Sequence, residues 1–370
     1  MDVVTRGIFI AATGQHIGKT TLCLGILAGL LKIYNRVGFI KPVGQKHIFV
    51  NNQIPVDKDA VLFHEYFRLN IPYTAMSPVI IPAGMTREFL DGLIDTQQLK
   101  DKITDAYDHI SSNHDFTLSE GTGHVGVGSI IDLNNADVAS LLGLEAVLIA
   151  SGGLGSAFDA LAVNCALFHA KGVKIKGVIL NRVLNEKREM IINYFQKALN
   201  RWNIPLIGAI PYEEMLAEPS ILDFETLFET KVLVGEKQRF CHFHHLSIVD
   251  TSMRLYRQEK LLNNQLIITP ASREDLILAT LAKVWDSKLA TPPRPTSCAL
   301  LLTGPQPPRP LLVEKIKRAD LPCLYTSVSS YKAMQMISSF TAKIRQEDLC
   351  KVELAIQLVE SHVDFSLLTS

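Results

Sequence analysis

The chain has no excess charge of either sign. Of its 370 residues, 37 are Lys or Arg and 37 are Asp or Glu, so the formal net charge is zero. That balance provides neither the basic field that attracts nucleic acid nor a charged face for a membrane surface. Cysteine is scarce. The six (Cys23, Cys165, Cys241, Cys298, Cys323, Cys350) are scattered, most of them in apolar runs, and no CxxC pair occurs. The pattern argues against a disulfide scaffold and for buried thiols in a reducing cytosol. The N-terminus lacks a basic segment leading into a long apolar core, so no signal peptide is expected. No apolar run reaches the roughly 20 residues needed to cross a bilayer. Ala139–Leu154 comes nearest, and Glu145 and several glycines interrupt it. Internal repeats and low-complexity segments are missing as well. The expectation is a cytoplasmic protein without nucleic-acid or membrane partners. Its length predicts two domains, and an apolar fraction of 47% is ample for two cores.

Near the N-terminus, Ile8-Phe9-Ile10 reads as a buried strand and Thr21–Leu31 as an apolar helix. Between them lies Ala12-Thr13-Gly14-Gln15-His16-Ile17-Gly18-Lys19-Thr20-Thr21. A strand, a loop ending in Gly-Lys-Thr and a helix form the P-loop context. There the backbone N–H groups of Gly14–Thr21 converge on one spot, and the helix dipole favours an anion at it. Lys19 is placed to reach terminal phosphates and Thr20 to put its hydroxyl on Mg²⁺. One departure stands out: Thr13 occupies the position of the first motif glycine, and Gly14 comes one residue late.

Apolar strands then alternate with helical stretches: Val37–Ile40, Phe116–Ser119, Ala146–Ala150, Ile175–Leu180 and Pro205–Ile210, with helices such as Phe158–Lys171 and Arg188–Trp202. Such alternation predicts an α/β fold, a parallel sheet covered by helices on both faces, with ligands beyond the carboxyl ends of its strands. A boundary is expected near Pro219, giving residues 1–218 and 219–370 as two domains. The second part shows a smaller α/β alternation: strands at Leu266–Thr269, Cys298–Leu302 and Pro322–Tyr325, a helical start at Ile221–Leu233, and further helices from about Arg273, at Leu311–Arg318, after Ser329 and, last, at Lys351–Glu360. Thr291–Pro295 reads as an irregular connector.

Polar residues at strand ends are the candidates for chemistry. Lys41 follows a strand and suits either a solvated strand end or an anionic ligand. Asp57 and Asp59 open a helix, where aspartate caps or offers Mg²⁺ a hard oxygen. Glu120 closes a strand before Gly121-Thr122-Gly123-His124, either as a Walker-B-like carboxylate or as a surface charge beside a tight turn. His124 is a potential base or a bystander, and the Asn181 amide a potential reader of an adenine edge. Ser272 suits a helix N-cap with Asp275 as its reciprocal partner. Arg273 with Thr303-Gly304 offers a possible anion or effector pocket. Cys241-His242-Phe243-His244-His245 matches no standard zinc spacing and fits a strand with one polar face.

Taken together, the Gly18-Lys19-Thr20 loop, Phe39-Ile40-Lys41-Pro42-Val43, Asp59-Ala60, Glu120-Gly121-Thr122-Gly123, Leu180-Asn181-Arg182-Val183 and Ile207-Gly208-Ala209-Ile210-Pro211 resemble dethiobiotin synthetase and its relatives, over roughly residues 5–215. The resemblance implies that Lys19 and Thr20 bind ATP and Mg²⁺, and that Lys41 contacts the substrate carbamate and the transferred phosphate. It further implies that Asp59 and Glu120 complete the Mg²⁺ site, that Asn181 contacts the base, and that the protein is a homo-oligomer. Glu120–Ser129 and Leu133–Ala139 look more like the dethiobiotin-synthetase-like N-terminal region of long phosphate acetyltransferases, and residues 219–370 resemble the DRTGG domain that follows it there. Arg273, Thr303 and Gly304 match that domain's named residues, whereas Ser272 and Pro305 depart from them.

Two functions follow as expectations. The first is a nucleotide-binding regulatory or sensor protein that couples ATP·Mg²⁺ to its second domain or to a partner. The second is an ATP-dependent ligase or cyclase activating a small-molecule carboxylate, with Lys19 and Lys41 as its catalytic cations. Acetyl transfer is not expected, because the residues up to Ser370 leave no room for the acetyltransferase domain of the long enzymes.

Overall fold

The strands of the first unit are short and buried at consecutive positions, so both faces of the sheet lie against other elements. They are β1 (Gly7–Ala12), β2 (Val37–Ile40), β3 (Phe116–Glu120), β4 (Glu145–Ser151), β5 (Ile175–Val183) and β6 (Leu206–Pro211). The computed structural model, which describes residues 7–51, 53–289 and 297–370, joins them in one six-stranded sheet of order β6-β5-β4-β1-β3-β2. Every pairing in it is parallel. Helices α1 (Lys19–Leu30), α2 (Lys58–Phe67), α3 (Thr96–Ser111), α4 (Asn135–Leu141), α5 (Gly155–Ala170) and α6 (Arg188–Asn200) connect the strands. The P-loop NTPase-type sheet expected from the sequence is therefore present. Ala139–Leu154 divides between the end of α4 and the buried strand β4, and among the described residues no helix is long and apolar enough to cross a membrane.

An antiparallel hairpin, His47–Val50 with Ile54–Asp57, interrupts the alternation between β2 and α2 and escaped the sequence pattern. Only Val56 and Asp57 of its strands are buried, so it carries no buried run to read.

The second unit has its own sheet: β7 (Val232–Val234), β8 (His245–Ile248), β9 (Gln265–Pro270), β10 (Cys298–Thr303) and β11 (Cys323–Thr326), in the order β7-β11-β10-β9-β8. Only the edge strand β7 runs antiparallel. Alternate residues feed two cores: Ile267, Leu300 and Leu302 lie in one, and Leu266, Ile268, Leu301 and Leu324 in the other. Its longer helices are α7 (Glu274–Leu289), α8 (Pro310–Arg318) and α9 (Ser330–Ser339). The helical start expected at Ile221–Leu233 ends at Leu227 and gives way to β7. The connector Thr291–Pro295 lies outside the described residues.

The expected partition is corrected at the C-terminus. The compact units are Met1–Glu213 with Ile344–Ser370, and Glu214–Lys343. The chain thus leaves the first unit after β6 and returns to it. The returning segment holds α10 (Leu349–His362) and a short α11 (Phe365–Thr369), so the helix expected to be last is followed by another. Val352, Ala355 and Val359 form a fully buried stripe on α10 at helical spacing. That stripe needs a partner with a flat surface, and α1 supplies one through Gly25 and Gly29. A Cβ on Gly25 would lie 2.2 Å from Val359, and one on Gly29 would lie 2.1 Å from Phe365. Beyond α10, Val363 bridges Gly208 of β6, and the Asp364 N–H donates to Ile207 O at 2.8 Å. Strand and helix periodicity describe each element alone, so this return was invisible in the sequence.

Gly25→Ala tests the arrangement. Helix propensity alone favours alanine by about 1 kcal/mol, but overpacking a filled core costs roughly 1–3 kcal/mol. A 2.2 Å approach is far inside van der Waals contact, so net destabilisation and a lower thermal midpoint are expected. Combining Gly25→Ala with Val359→Ala should recover part of the loss. A neutral or stabilising Gly25→Ala would mean that α10 does not sit in this groove.

Candidate nucleotide and metal site

The site is assembled where β1, β2 and β3 end. Gly18 precedes α1 with φ 95°, in the left-handed region where a side chain would be strained. A Cβ there would also lie 2.4 Å from Asn181 Nδ2. No side chain caps α1, and its first turn holds no acidic residue, so its leading N–H groups are available to an anion. His16 also adopts a positive φ, 59°, and with Gln15 it forms the exposed tip of the loop; Gly14, Ile17 and Thr21 are half-buried. Thr13, the residue in place of glycine, donates its N–H to Ile149 O of β4 at 2.9 Å, which ties the start of the loop to the sheet.

Sheet register brings the carboxylate to the loop. Ile10 pairs with Glu120, and Ile40 with Ser119, so Glu120 ends β3 between the P-loop and Lys41. Thr20 Oγ1 donates to Glu120 Oε1 at 3.1 Å. Lys41 Nζ donates to the same oxygen at 3.2 Å and also to Asp59 Oδ2, with Asp57 Oδ1 at 3.8 Å. Lys41 is only 5% exposed and Glu120 is 0% exposed. Lys41 is therefore no solvated strand end. Burial works against its charge, yet Asp59, Glu120 and Asp57 outweigh burial and hold the ammonium well above the usual lysine range.

The two aspartates divide the roles that the sequence left open. Asp57 caps α2: its Oδ1 accepts from the Asp59 N–H at 2.9 Å and its Oδ2 from the Gln45 N–H at 3.2 Å. Asp59, on the first turn, turns its carboxylate to Lys41. The exposed hairpin before α2 sets up both, because Asp57 is its last residue.

Lys19 Nζ donates to the Gly123 carbonyl, across the loop that follows β3. Burial pulls the Lys19 ammonium below the ordinary lysine range, with Glu120 opposing. That loop is held by a residue to which the sequence reasoning gave no role. Asn135 Oδ1 accepts from the Thr122 N–H at 2.9 Å, and its Nδ2 donates to Thr122 O at 3.0 Å and to His124 O at 2.9 Å. Thr122 Oγ1 also donates to Val43 O. A legible signal existed: Asn134-Asn135-Ala136-Asp137 is a capping box, and Asn134 and Asp137 do cap α4 reciprocally, which fixes Asn135 on its first turn. His124 is exposed and its Nδ1 accepts from the Gly126 N–H at 3.2 Å.

Asn181 sits at the site in an unexpected posture. It is buried, its Nδ2 donates to Ile17 O at 2.6 Å, and its Oδ1 accepts from the Arg182 N–H at 3.0 Å. In this structure its amide braces the phosphate loop from β5.

The donor set fits Mg²⁺. Glu120 Oε2 is buried and has no hydrogen-bond partner among the described residues, and a buried carboxylate oxygen left so is costly unless a cation meets it. Thr20, Asp59 and Glu120 offer hard oxygens, and Mg²⁺ takes one or two carboxylates and completes its shell with water and phosphate. Among the described residues no group of three or more His, Cys, Asp or Glu side chains has metal-holding geometry.

The second unit's candidates are engaged internally. Arg273 holds Asp275 through Nε and Nη2, both at 2.9 Å, donates to Thr251 O at 2.9 Å and lies 3.3 Å from Asp250 Oδ1. Asp275 thus pairs with Arg273 and not with Ser272, and α7 begins at Glu274. Thr303 Oγ1 lies 2.7 Å from Ser330 Oγ, and Gly304 O accepts from Tyr325 OH at 2.7 Å. Of the histidine cluster, Phe243 is buried in the core, His244 faces Glu218 and Glu214 at 3.4 and 3.6 Å, and the strand starts only at His245.

Among curated proteins, the chain is 28% identical to a phosphate acetyltransferase of Nitratidesulfovibrio vulgaris, covering 99% of this chain and 52% of that protein. The phosphate acetyltransferase of Acinetobacter baylyi is 25% identical, over 98% of this chain and 52% of its own length. The chain therefore spans about half the length of these relatives. The ATP-dependent dethiobiotin synthetase of Methanocaldococcus jannaschii is 28% identical over 60% of this chain and 98% of itself. Residues 226–340 match the DRTGG domain. With residues 6–220 matching the family described as an AAA domain, and that stretch carrying the phosphate loop built above, the chain belongs to this AAA-domain family and bears a DRTGG domain behind it.

Proposed function

We propose that this chain is an ATP·Mg²⁺-binding regulatory or sensor module that couples nucleotide occupancy to its second unit or to a partner. One observation carries the reading. Lys19, Thr20, Lys41, Asp59 and Glu120, far apart in sequence, converge at the uncapped N-terminus of α1. The N–H groups from Gly14 to Thr21 receive phosphate, and Lys19 leaves the Gly123 carbonyl to neutralise it. Thr20, Asp59 and Glu120 hold the metal, which when bound offsets phosphate charge. The DRTGG domain favours regulation over ligation, since the dethiobiotin synthetase relative is covered to 98% of its length by only 60% of this chain.

A second reading is an ATP-dependent ligase of dethiobiotin type, and the position of Lys41 favours it. A buried ammonium between the metal-side carboxylates and the phosphate loop is well placed to steady charge on a transferred phosphoryl group. An anionic carbamate or carboxylate would then bind beside it.

Lys19→Ala should weaken ATP binding about a hundredfold, ~2.8 kcal/mol, as read by calorimetry; unchanged affinity would remove the phosphate-loop reading. Glu120→Gln should reduce the Mg²⁺ dependence of binding more than the affinity for nucleotide alone. Phosphate release from ATP·Mg²⁺ with and without diaminopelargonic acid and bicarbonate separates the two readings. Tight binding without stimulated turnover is expected of the sensor, and stimulated release would hand the site to the ligase.

A further inference from the structure

The oxygens best suited to a metal already carry a cation. Lys41 Nζ donates to Asp59 Oδ2 and to Glu120 Oε1, the oxygen that also accepts the Thr20 hydroxyl. A third carboxylate, Asp57, lies at 3.8 Å. The ammonium is a compact charge with three donors, and here it cross-links the set of Thr20, Asp59 and Glu120. Glu120 Oε2, by contrast, faces no hydrogen-bond partner among the described residues. Lys41 is almost fully buried and its backbone is fixed just after β2, the N–H donating to Met76 O at 2.8 Å, so a displacement is confined to its side chain.

We infer that Lys41 is a displaceable internal cation: it holds the Asp59 and Glu120 oxygens until Mg²⁺ takes them, and only then is its ammonium released toward the phosphates. The inference rests on the nucleotide-binding reading above and assigns Lys41 a role in ordering events. A divalent ion that takes Asp59 Oδ2 and Glu120 Oε1, the two oxygens Lys41 holds, meets the ammonium at contact distance in a buried site, where like charges repel strongly because water does not screen them. Metal and Lys41 are therefore competitors. The second cation of the phosphate cradle is withheld while the site lacks its metal. The first is not, because Lys19 is tied to a backbone carbonyl, a weaker partner than a carboxylate.

The competition is measured without turnover. Mg²⁺ is titrated calorimetrically into nucleotide-free wild-type protein and into Lys41→Gln and Lys41→Met, two neutral replacements of different polarity. The variants should bind Mg²⁺ at least about tenfold more tightly (~1.4 kcal/mol), and Mg²⁺ should raise their thermal midpoints more than that of the wild type. Equal or weaker binding would overturn the inference. A wild-type measurement stands if neither variant folds. The ¹⁵N signal of the Lys41 ammonium, assigned by its loss in Lys41→Arg, should move on addition of Mg²⁺ with ADP and stay in place with ADP and a chelator. A signal that ignores Mg²⁺, or that moves equally with ADP alone, would refute displacement. Failure here is separable from failure of the nucleotide-binding reading, which Lys19→Ala tests by ATP affinity alone.

Discussion

A lysine buried among three carboxylates is the constraint on which the first unit depends. Removing charged groups from water is expensive, and the expense is met only if partners sit at hydrogen-bond distance. The β2–β3 register must therefore set Ile40 against Ser119, so that Lys41 meets Glu120. The hairpin before α2 must end at Asp57, so that one aspartate caps the helix and the next reaches the ammonium. The β1–β3 register must set Ile10 against Glu120, so that Thr20 on α1 meets the same oxygen. A slip of one residue in either pairing would turn Glu120 to the opposite face of the sheet. The chemistry of the site and the register of the sheet are one requirement.

Helix α1 serves two masters. Its first turn faces the phosphate position, where Gly18 allows the backbone to approach. Its later turns present Gly25 and Gly29 to α10 and α11, where only a hydrogen fits. The helix that would feel a bound nucleotide is thus held by a segment that reaches it only after the whole second unit has been traversed. Covalently, Glu214–Lys343 is an insertion between β6 and α10, both of which belong to the first unit. Both ends of the inserted unit are thus joined covalently to elements of the first unit.

In the second unit the residues that offered an anion pocket are engaged by their own neighbours. A guanidinium with bidentate hold on Asp275 and a further hold on Thr251 O has little capacity left for a ligand. Ser272 and Pro305, the two positions that depart from the DRTGG pattern, flank this arrangement in sequence. The loop after β10 is closed in the same way, with Tyr325 OH on Gly304 O.

The sequence by itself determined the buried strands, the parallel α/β architecture and the phosphate loop. These depend on local facts: consecutive apolar residues require cover on both faces, and Gly18-Lys19-Thr20 between a strand and a helix has few other uses. It also marked Lys41, Asp59, Glu120 and Asn181 as strand-end or helix-start polar residues, without saying what they touch. Only the tertiary structure decided that Lys41 is caged by carboxylates and that Asp57 is the cap while Asp59 is not. It likewise decided that Asn181 braces Ile17, that Asn135 holds the loop after β3, and that residues 344–370 return to α1. The physical reason is range. Periods of two and 3.6 residues report which face of an element is apolar, whereas the Thr20–Glu120 bond spans 100 residues and the Asn181–Ile17 bond 164. Those contacts are set by strand order and packing, and no local pattern encodes them.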